Sequence, residues 1–278
     1  MDPSEPSAEE QGAGRGHATA VWDPEVYLRY ADERARPFSE LVARVGAESP
    51  RTVVDLGCGE GALTASLAAR WPEARITGID SSPEMLAAAA AHTIPSRGEF
   101  AASDARDWRP ESQIDVLVTN ALLHWVPGHG ELLSRWVEAL SPDGWLAVQV
   151  PGNFRSPTHT VLADLCRSPR WSEQLGDLAP RTDAVLEPAE YLDVLSEAGL
   201  STDVWETTYL HVLTGEDPVL GWVRGSVLRP VLTALDEQDA ALLTEEYAAG
   251  LRAAYPRRPD GTTVLPYRRI FAVGSRRS

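Results

Sequence analysis

The chain contains no lysine; all 25 basic residues are arginines, set against 41 acids for a formal net charge of -16. A surface this acidic repels phosphate backbones and anionic lipid, so general nucleic-acid or membrane-surface binding is not expected. Any cationic contact must come from a planar guanidinium, whose fork suits bidentate carboxylate binding. Only two cysteines occur, Cys58 and Cys166. They cannot make a disulfide framework, and a reducing cytoplasm is the expected compartment. No apolar run approaches the ~18–20 residues that cross a bilayer. Met1–Gly16 is acidic without an apolar segment, unlike a secretory signal. The histidines, at 17, 92, 124, 129, 159 and 211, show no ligand spacing and no cysteine pair accompanies them, so no metal site is expected.

What is present divides into stretches of different character. Residues 1–20, rich in Glu, Ser, Gly and Pro, predict a disordered leader. Residues 21–50 predict a helical lid. Asp23-Pro24 places an N-cap before a proline at the first helical position, opening a helix over Glu25–Ala31, and a second helix follows over Arg36–Val45. Residues 51–151 alternate strands (Thr52–Leu56, Arg75–Ile79, Glu99–Ala101, Ile114–Thr119, Trp145–Val150) with helices (Ala62–Arg70, Glu84–Ala91, Glu131–Leu140). That alternation predicts a parallel sheet covered on both faces. Leu63, Leu67 and Trp71 recur every four residues, as one buried helix face requires. Residues 152–278 read as helices Pro157–Cys166 and Pro188–Ala198, a strand Asp203–Leu213, an insertion with helices Glu216–Arg224 and Glu237–Ala254, and a closing strand Thr262–Val273.

Chemistry concentrates at the predicted strand ends. Val53-Val54-Asp55-Leu56-Gly57-Cys58-Gly59-Glu60-Gly61 is a strand that ends in a glycine-rich turn opening a helix. Glycines let a ligand approach backbone where a Cβ would collide, and the helix start offers free N–H groups. The spacing Gly-x-Gly-x-Gly differs from the Gly-x-Gly-x-x-Gly of dinucleotide binders. An acid before the glycines favours a cationic ligand over a pyrophosphate, hence S-adenosylmethionine over a nicotinamide cofactor. Asp80 and Ser81 end the next strand, where a carboxylate can accept two ribose hydroxyls. Asp104 and Ala105 follow the third strand, where an acid can accept from an adenine amino group. Asn120, followed by Leu123-His124-Trp125, ends the fourth.

Across residues 50–150 these motifs resemble the class I S-adenosylmethionine-dependent methyltransferases. The resemblance implies a Rossmann-like α/β sheet of seven strands, the last two antiparallel, with a helical insertion near the C-terminus. It implies that Asp55, Gly57, Gly59 and Gly61 hold the amino-acid part of the cofactor, that Asp80 holds the ribose and that Asp104 lies beside the adenine; Cys58, Ser81 and Ala105, next to them in sequence, are further candidate cofactor contacts. Asn120 then lines the methyl-donor end. A narrower resemblance covers nearly the whole chain. Trp22-Asp23-Pro24-x-x-Tyr27-Leu28, Arg34-x-Arg36-Pro37, Leu123-His124-Trp125-Val126-Pro127, Ala147-Val148-Gln149-Val150-Pro151-Gly152-Asn153, Asp203-Val204-Trp205-Glu206-Thr207-Thr208-Tyr209 and Pro266-Tyr267-Arg268-Arg269-Ile270-Phe271 resemble the trans-aconitate 2-methyltransferase family. It implies methyl transfer to one carboxylate of a small polyacid. Glu60 stands where proline is common in that family, and Ala62 where asparagine is common.

A carboxylate acceptor is already ionised at neutral pH and needs no general base. It does need the rest of the polyacid clamped. The candidates are Arg34 or Arg36 from the lid, Arg229 from the insertion, and Arg268 or Arg269 from the closing strand. Adjacent strand residues face opposite ways, so only one of the last pair can reach the site. Trp22, Tyr27, Trp125 and Tyr267 are candidate walls. His124 is either a base for a hydroxyl or amine acceptor, or an orienting histidine beside Trp125. The open alternatives are a different acceptor, a different polyacid such as citrate or isopropylmalate, and a non-catalytic cofactor-binding protein.

Overall fold

A computed structural model describes residues 31–276, with side chains from Ala35 onward. The expectations for the leader, for the helix at Glu25–Ala31, and for Trp22 and Tyr27 lie outside the described residues. The first described element is α1 (Ala31–Ala43), a single helix running through Pro37 where sequence spacing had predicted a new helix starting at Arg36. Proline removes one helical donor and disfavours the helical conformation before it. The buried face of Phe38, Leu41 and Val42 outweighs that cost.

There follow β1 (Thr52–Leu56), α2 (Ala62–Arg70), β2 (Arg75–Asp80), α3 (Pro83–Ala89), β3 (Gly98–Ala102), β4 (Ile114–Asn120), α4 (His129–Glu138) and β5 (Leu140–Pro151). After these come α5 (Pro157–Cys166), α6 (Ser172–Leu175), α7 (Pro188–Glu197), β6 (Leu200–Leu213), α8 (Pro218–Val223), α9 (Arg229–Thr233), α10 (Glu237–Ala254) and β7 (Thr263–Arg276). The seven strands form one sheet in the order β3-β2-β1-β4-β5-β7-β6. β1 to β5 are parallel, and β7 runs antiparallel to both β5 and β6. The α/β class and the antiparallel closing pair are thus as the sequence predicted. Leu140 belongs to β5 and not to the end of α4, because α4 ends at Glu138 and the sheet ladder already pairs Leu140 with Ile114.

The sheet is covered on both faces, and the residue alternation decides which face each side chain meets. Leu117, Val148, Val150, Ile270 and Ala272 pack with Leu133 and Trp136 of α4 and Tyr191 and Leu195 of α7. Val53, Val116, Val118, Ala147, Phe271 and Val273 pack with Phe38 and Leu41 of α1 and with Leu67 and Trp71. Burying each such large side chain contributes roughly 1.5–3 kcal/mol.

One asymmetry positions the site. β6 and β7 pair over fourteen residues each, but β5 pairs only with Arg269–Ser275 of β7. The first part of β7, Thr263–Arg268, and its partners Thr208–Leu213 therefore run past the carboxyl edge of β5. At ~3.4 Å per residue the overhang is about 20 Å. A third apolar cluster under it joins Leu213 and Leu265 to Leu162 of α5, to Trp171, and to Val219, Val223, Tyr247 and Leu251 of the helical insertion. The hairpin and insertion thus stand beside the edge on which the glycine turn lies.

Candidate active site

The three glycines of the β1–α2 turn all have positive φ, at 83° (Gly57), 54° (Gly59) and 82° (Gly61). Their reasons differ. A Cβ on Gly57 would lie 2.9 Å from Leu122 Cβ, and one on Gly61 would lie 2.6 Å from Phe100 Cζ. A Cβ on Gly59 would meet nothing within 4 Å, so this glycine faces open space. The turn is tied to β2 twice. The Gly57 and Cys58 amides donate to the Ile79 carbonyl at 2.7 and 3.0 Å. The Gly59 amide donates to Asp80 Oδ2 and the Ser82 amide to Asp80 Oδ1, each at 2.9 Å. Each carboxylate oxygen can accept two hydrogen bonds and here accepts one, so both retain a lone pair. Ser82 caps α3 by accepting from the Met85 amide at 3.2 Å, and Ser81 beside it is exposed.

Two acids are placed otherwise than the sequence had predicted. Asp55 is 2% exposed and accepts from Thr64 Oγ1 at 2.6 Å, beneath the turn rather than open to a ligand ammonium. Burial pushes its carboxyl up to about 6, against the Thr64 bond and with Asp80 adding repulsion. Asp104 is engaged by its own neighbour. Arg106 grips both carboxylate oxygens, Nε to Oδ1 at 2.9 Å and Nη2 to Oδ2 at 2.5 Å, and holds the group below the usual carboxylate range. An adenine amino group would have to share or displace that fork. Ala105 is buried beside it, and the Cys58 thiol is buried and pushed up, with Asp55 and Asp80 adding repulsion, so it is no nucleophile.

At the end of β4 the backbone is strained. Ala121 has φ 57°, a left-handed conformation held by its amide donating to the Gln149 carbonyl at 2.9 Å. This reversal throws Leu122 over Gly57 and opens a short 3₁₀ turn, Leu123–Trp125. The Asn120 Oδ1 and His124 Nδ1 atoms are buried with no hydrogen-bond partner among the described residues. Burial, with the Arg269 charge adding repulsion, holds the His124 imidazole down to about 3. It is neutral at physiological pH and only a weak base. Trp125 lies tilted against it at 4.7 Å between ring centroids, and remains 53% exposed.

On the other side of His124 lies the start of the overhang. Arg269 is buried, donates from Nη1 to Gln149 Oε1 at 3.4 Å, and sits over the Tyr267 ring at 4.9 Å. Tyr267 pairs directly with Tyr209 across the hairpin, and His211 and Trp222 stack at 4.5 Å on the same wall. Arg268 points to the opposite face and does not belong to this group. It donates to Glu187 at 2.7 Å and to Glu206 at 2.5 Å, so two carboxylates already neutralise it. The lid's Arg36 is likewise committed. Its Nε binds Glu40 at 2.7 Å, and Glu40 accepts from the Tyr209 hydroxyl at 2.6 Å. Burial opposes ionisation of Glu40, but Tyr209 and Arg36 together hold it below the ordinary carboxylate range. Arg229 begins α9 half-buried, and its side chain has no ion pair among the described residues. The side chain of Arg34 lies outside the described ones.

Sequence reasoning missed four contributors: Gln149, Glu40, His211 and Trp222. The strand alternation could have exposed Gln149, a polar residue inside the apolar run Trp145–Val150. His129 and His159 are accounted for otherwise. His129 Nδ1 donates to the Val126 carbonyl at 3.0 Å and its Nε2 accepts from the Tyr191 hydroxyl at 2.9 Å, while burial lowers its pKa. His159 lies edge-on to Phe154, and burial holds it at about 4.

Residues 53–144 match a family model described as a methyltransferase domain. The chain is 53% identical to the trans-aconitate 2-methyltransferase of Streptomyces avermitilis, over 92% of its own length and 97% of that protein's. Its identity to the Mycobacterium tuberculosis protein of the same name is 50%, over 93% and 99%. Among solved structures, the YcgJ protein of Bacillus subtilis superposes with a TM-score of 0.57 at 13% identity, over 87% of this chain and 99% of that one. Phosphoethanolamine N-methyltransferase 2 of Haemonchus contortus, solved with S-adenosyl-L-methionine, gives 0.52 at 16%, over 87% and 53%. These two likenesses speak to the fold alone.

Proposed function

We propose that this chain, which belongs to the trans-aconitate 2-methyltransferase family, methylates one carboxylate of a small polyacid, trans-aconitate first among them. The observation that carries the reading is Arg269: a buried guanidinium at the sheet edge beside an uncharged histidine. That pairing suits an anionic acceptor and offers only a weak base for a hydroxyl or ammonium. S-adenosylmethionine, when bound, supplies an electrophilic sulfonium methyl. The acceptor carboxylate oxygen forms the new C–O bond as the S–C bond breaks, and the electron pair leaves on sulfur. The products are a monomethyl ester and S-adenosylhomocysteine, and no proton moves.

The chain's task is therefore placement and dryness. The turn fits the cofactor: Gly59 leaves backbone open, Asp80 keeps one lone pair on each oxygen for two ribose hydroxyls, and Asn120 Oδ1 lacks a donor. We assign Gly57, Gly59, Gly61, Asp80 and Ser81 to that half, with Ala105 near the adenine. Residues 51–151 form the cofactor core in this reading, 152–278 the substrate region, and 21–50 the lid. Arg269, Tyr267 and His124 face the acid, with Trp125 at the mouth. No helix of the described residues is long and apolar enough to cross a membrane. The scarcity of cysteine supports a cytoplasmic enzyme, and the acidic net charge supports one without a nucleic-acid partner.

The test is transfer of a labelled methyl group to a panel of acids at pH 7.5, with citrate, cis-aconitate and isopropylmalate beside trans-aconitate. A base-labile ester on trans-aconitate is the expected outcome. Cofactor binding with no ester on any acid would sink the carboxylate assignment.

A further inference from the structure

Gln149 is fully buried at the carboxyl edge of β5, between Asn120 of β4 and Phe271 of β7 in the sheet register. A guanidinium only donates, so the amide must turn its oxygen toward Arg269. The amide nitrogen is thereby sent the other way. It is buried with no hydrogen-bond partner among the described residues. A buried amide donor without an acceptor is uncommon in folded proteins and calls for one. One strand away, about 4.8 Å across the sheet, Asn120 Oδ1 is a buried acceptor without a donor. No hydrogen bond joins the two side chains. The acceptor stands one strand nearer the glycine turn than the donor.

We propose that Gln149 is a substrate-binding residue, donating from Nε2 to a non-reacting carboxylate of the acid while its oxygen keeps Arg269 in line. The inference rests on the carboxylate methyltransferase reading above. It deepens that reading by fixing the acceptor class as an acid with at least one carboxylate beyond the one that reacts. Gln149 and Arg269 then hold that second group by a neutral donor and a cation, and the reacting carboxylate is left unclamped. Asn120 faces the cationic end of the cofactor, so polarity along the edge runs from acceptor to donor in the direction of methyl transfer. The amide also discriminates. It can donate to a carboxylate, but it gives nothing to an acid whose second group is a methyl.

The test uses the full chain and two substitutions. Q149M keeps length and lack of branching but removes the donor together with the oxygen that accepts from Arg269. Q149E keeps shape but sets a carboxylate against the substrate. With trans-aconitate, KM is expected to rise about tenfold or more in Q149M and over a hundredfold in Q149E, with cofactor Kd unchanged within about twofold. With crotonate, a mono-acid lacking the second carboxylate, kcat/KM in Q149M is expected to equal that of the unsubstituted chain within about twofold. Equal losses on both acids, or a weakened cofactor, would overturn the proposal and make Gln149 a packing residue. If Q149M does not fold, selective ¹⁵N labelling of glutamine side chains in the unsubstituted chain decides. A buried amide resonance must shift with trans-aconitate and stay put with S-adenosylhomocysteine alone; the reverse overturns the proposal. Failure of the unsubstituted chain to methylate any acid would instead count against the underlying function.

Discussion

The two halves of the sheet edge are built by different means. The half at β1 to β3 is backbone: three glycines at positive φ, amides hung on Ile79 and Asp80, and a capped helix start, all within thirty residues of sequence. The half at β5 to β7 is side chains brought from afar. Gln149 meets Arg269 across 120 positions, and Glu40 meets Tyr209 across 169. Backbone cradles tolerate sequence change around them but punish any added Cβ. Side-chain clamps fail when a single head group is removed.

The sharpest separation of the halves comes from one acid and one base. Asp80→Ala removes the tie between the glycine turn and β2 as well as the proposed ribose acceptor. Cofactor Kd is expected to rise at least a hundredfold, about 3 kcal/mol, in titration calorimetry. Arg269→Ala is expected to leave cofactor Kd within a few-fold and to cut kcat/KM for the polyacid by about a hundredfold. Its neighbour Arg268→Ala disturbs only a partly exposed network with Glu187 and Glu206. The expected cost is within about 1 kcal/mol of stability and a few-fold in rate. If Arg268→Ala proved the more damaging to catalysis, the assignment of faces along β7 would be wrong.

Within the glycine turn the comparison can be made finer still. Gly61→Ala puts a methyl group against Phe100 and Ala89 at positive φ, so it is expected to destabilise by roughly 2 kcal/mol or more in urea unfolding. Gly59→Ala meets nothing in the folded chain, and its left-handed backbone costs about 1–2 kcal/mol. Its larger effect is expected on cofactor Kd, because its Cβ points where only a ligand would be. The two variants should therefore cross, Gly61→Ala worse for folding and Gly59→Ala worse for binding. Equal binding losses would mean that the turn acts as one rigid unit.

The same contrast governs how much was legible in sequence. β1, α2, α5 and α10 begin and end where spacing predicted, and the four strand-end motifs lie on one edge because parallel topology puts every β-to-α turn there. Charge pairing was not legible. Arg106 stands two residues from Asp104 but is one of several nearby charges, and nothing local marks Glu187 and Glu206 as the partners of Arg268. The alternation rule said that only one of Arg268 and Arg269 can face the site. Which one depends on the β5–β7 register, fixed by contacts 120 residues apart. Gln149 went unassigned because its meaning comes from Arg269.

The halves also respond oppositely to acid. On the substrate side burial lowers the pKa of His124, His129 and His159, the first to about 3 and the last to about 4. Their folded pKa lies below the unfolded value of ~6.5, so protons prefer the unfolded chain and stability falls as pH drops below that value. Asp55 on the cofactor side is pushed up to about 6 from an unfolded value near ~3.9. Between those limits the folded chain holds the extra proton, and Asp55 resists acid unfolding while costing stability above pH 6. At pH 5 His124 and His159 together outweigh it by about one proton, a loss of roughly 1.4 kcal/mol per pH unit, and His129 acts in the same direction. Asp55→Asn removes the opposing proton. Its stability curve from urea unfolding is expected to be higher than the parent's at pH 8 and to fall more steeply, by about one proton, between pH 6 and 5. Parallel curves would mean that Asp55 is ionised in the folded chain despite its burial. Turnover should follow neither curve. The acid is ionised and His124 uncharged from pH 5.5 to 8, so kcat/KM measured on folded enzyme is expected to be flat there. A limb near 6.5 that vanished in His124→Ala would return that histidine to the chemistry.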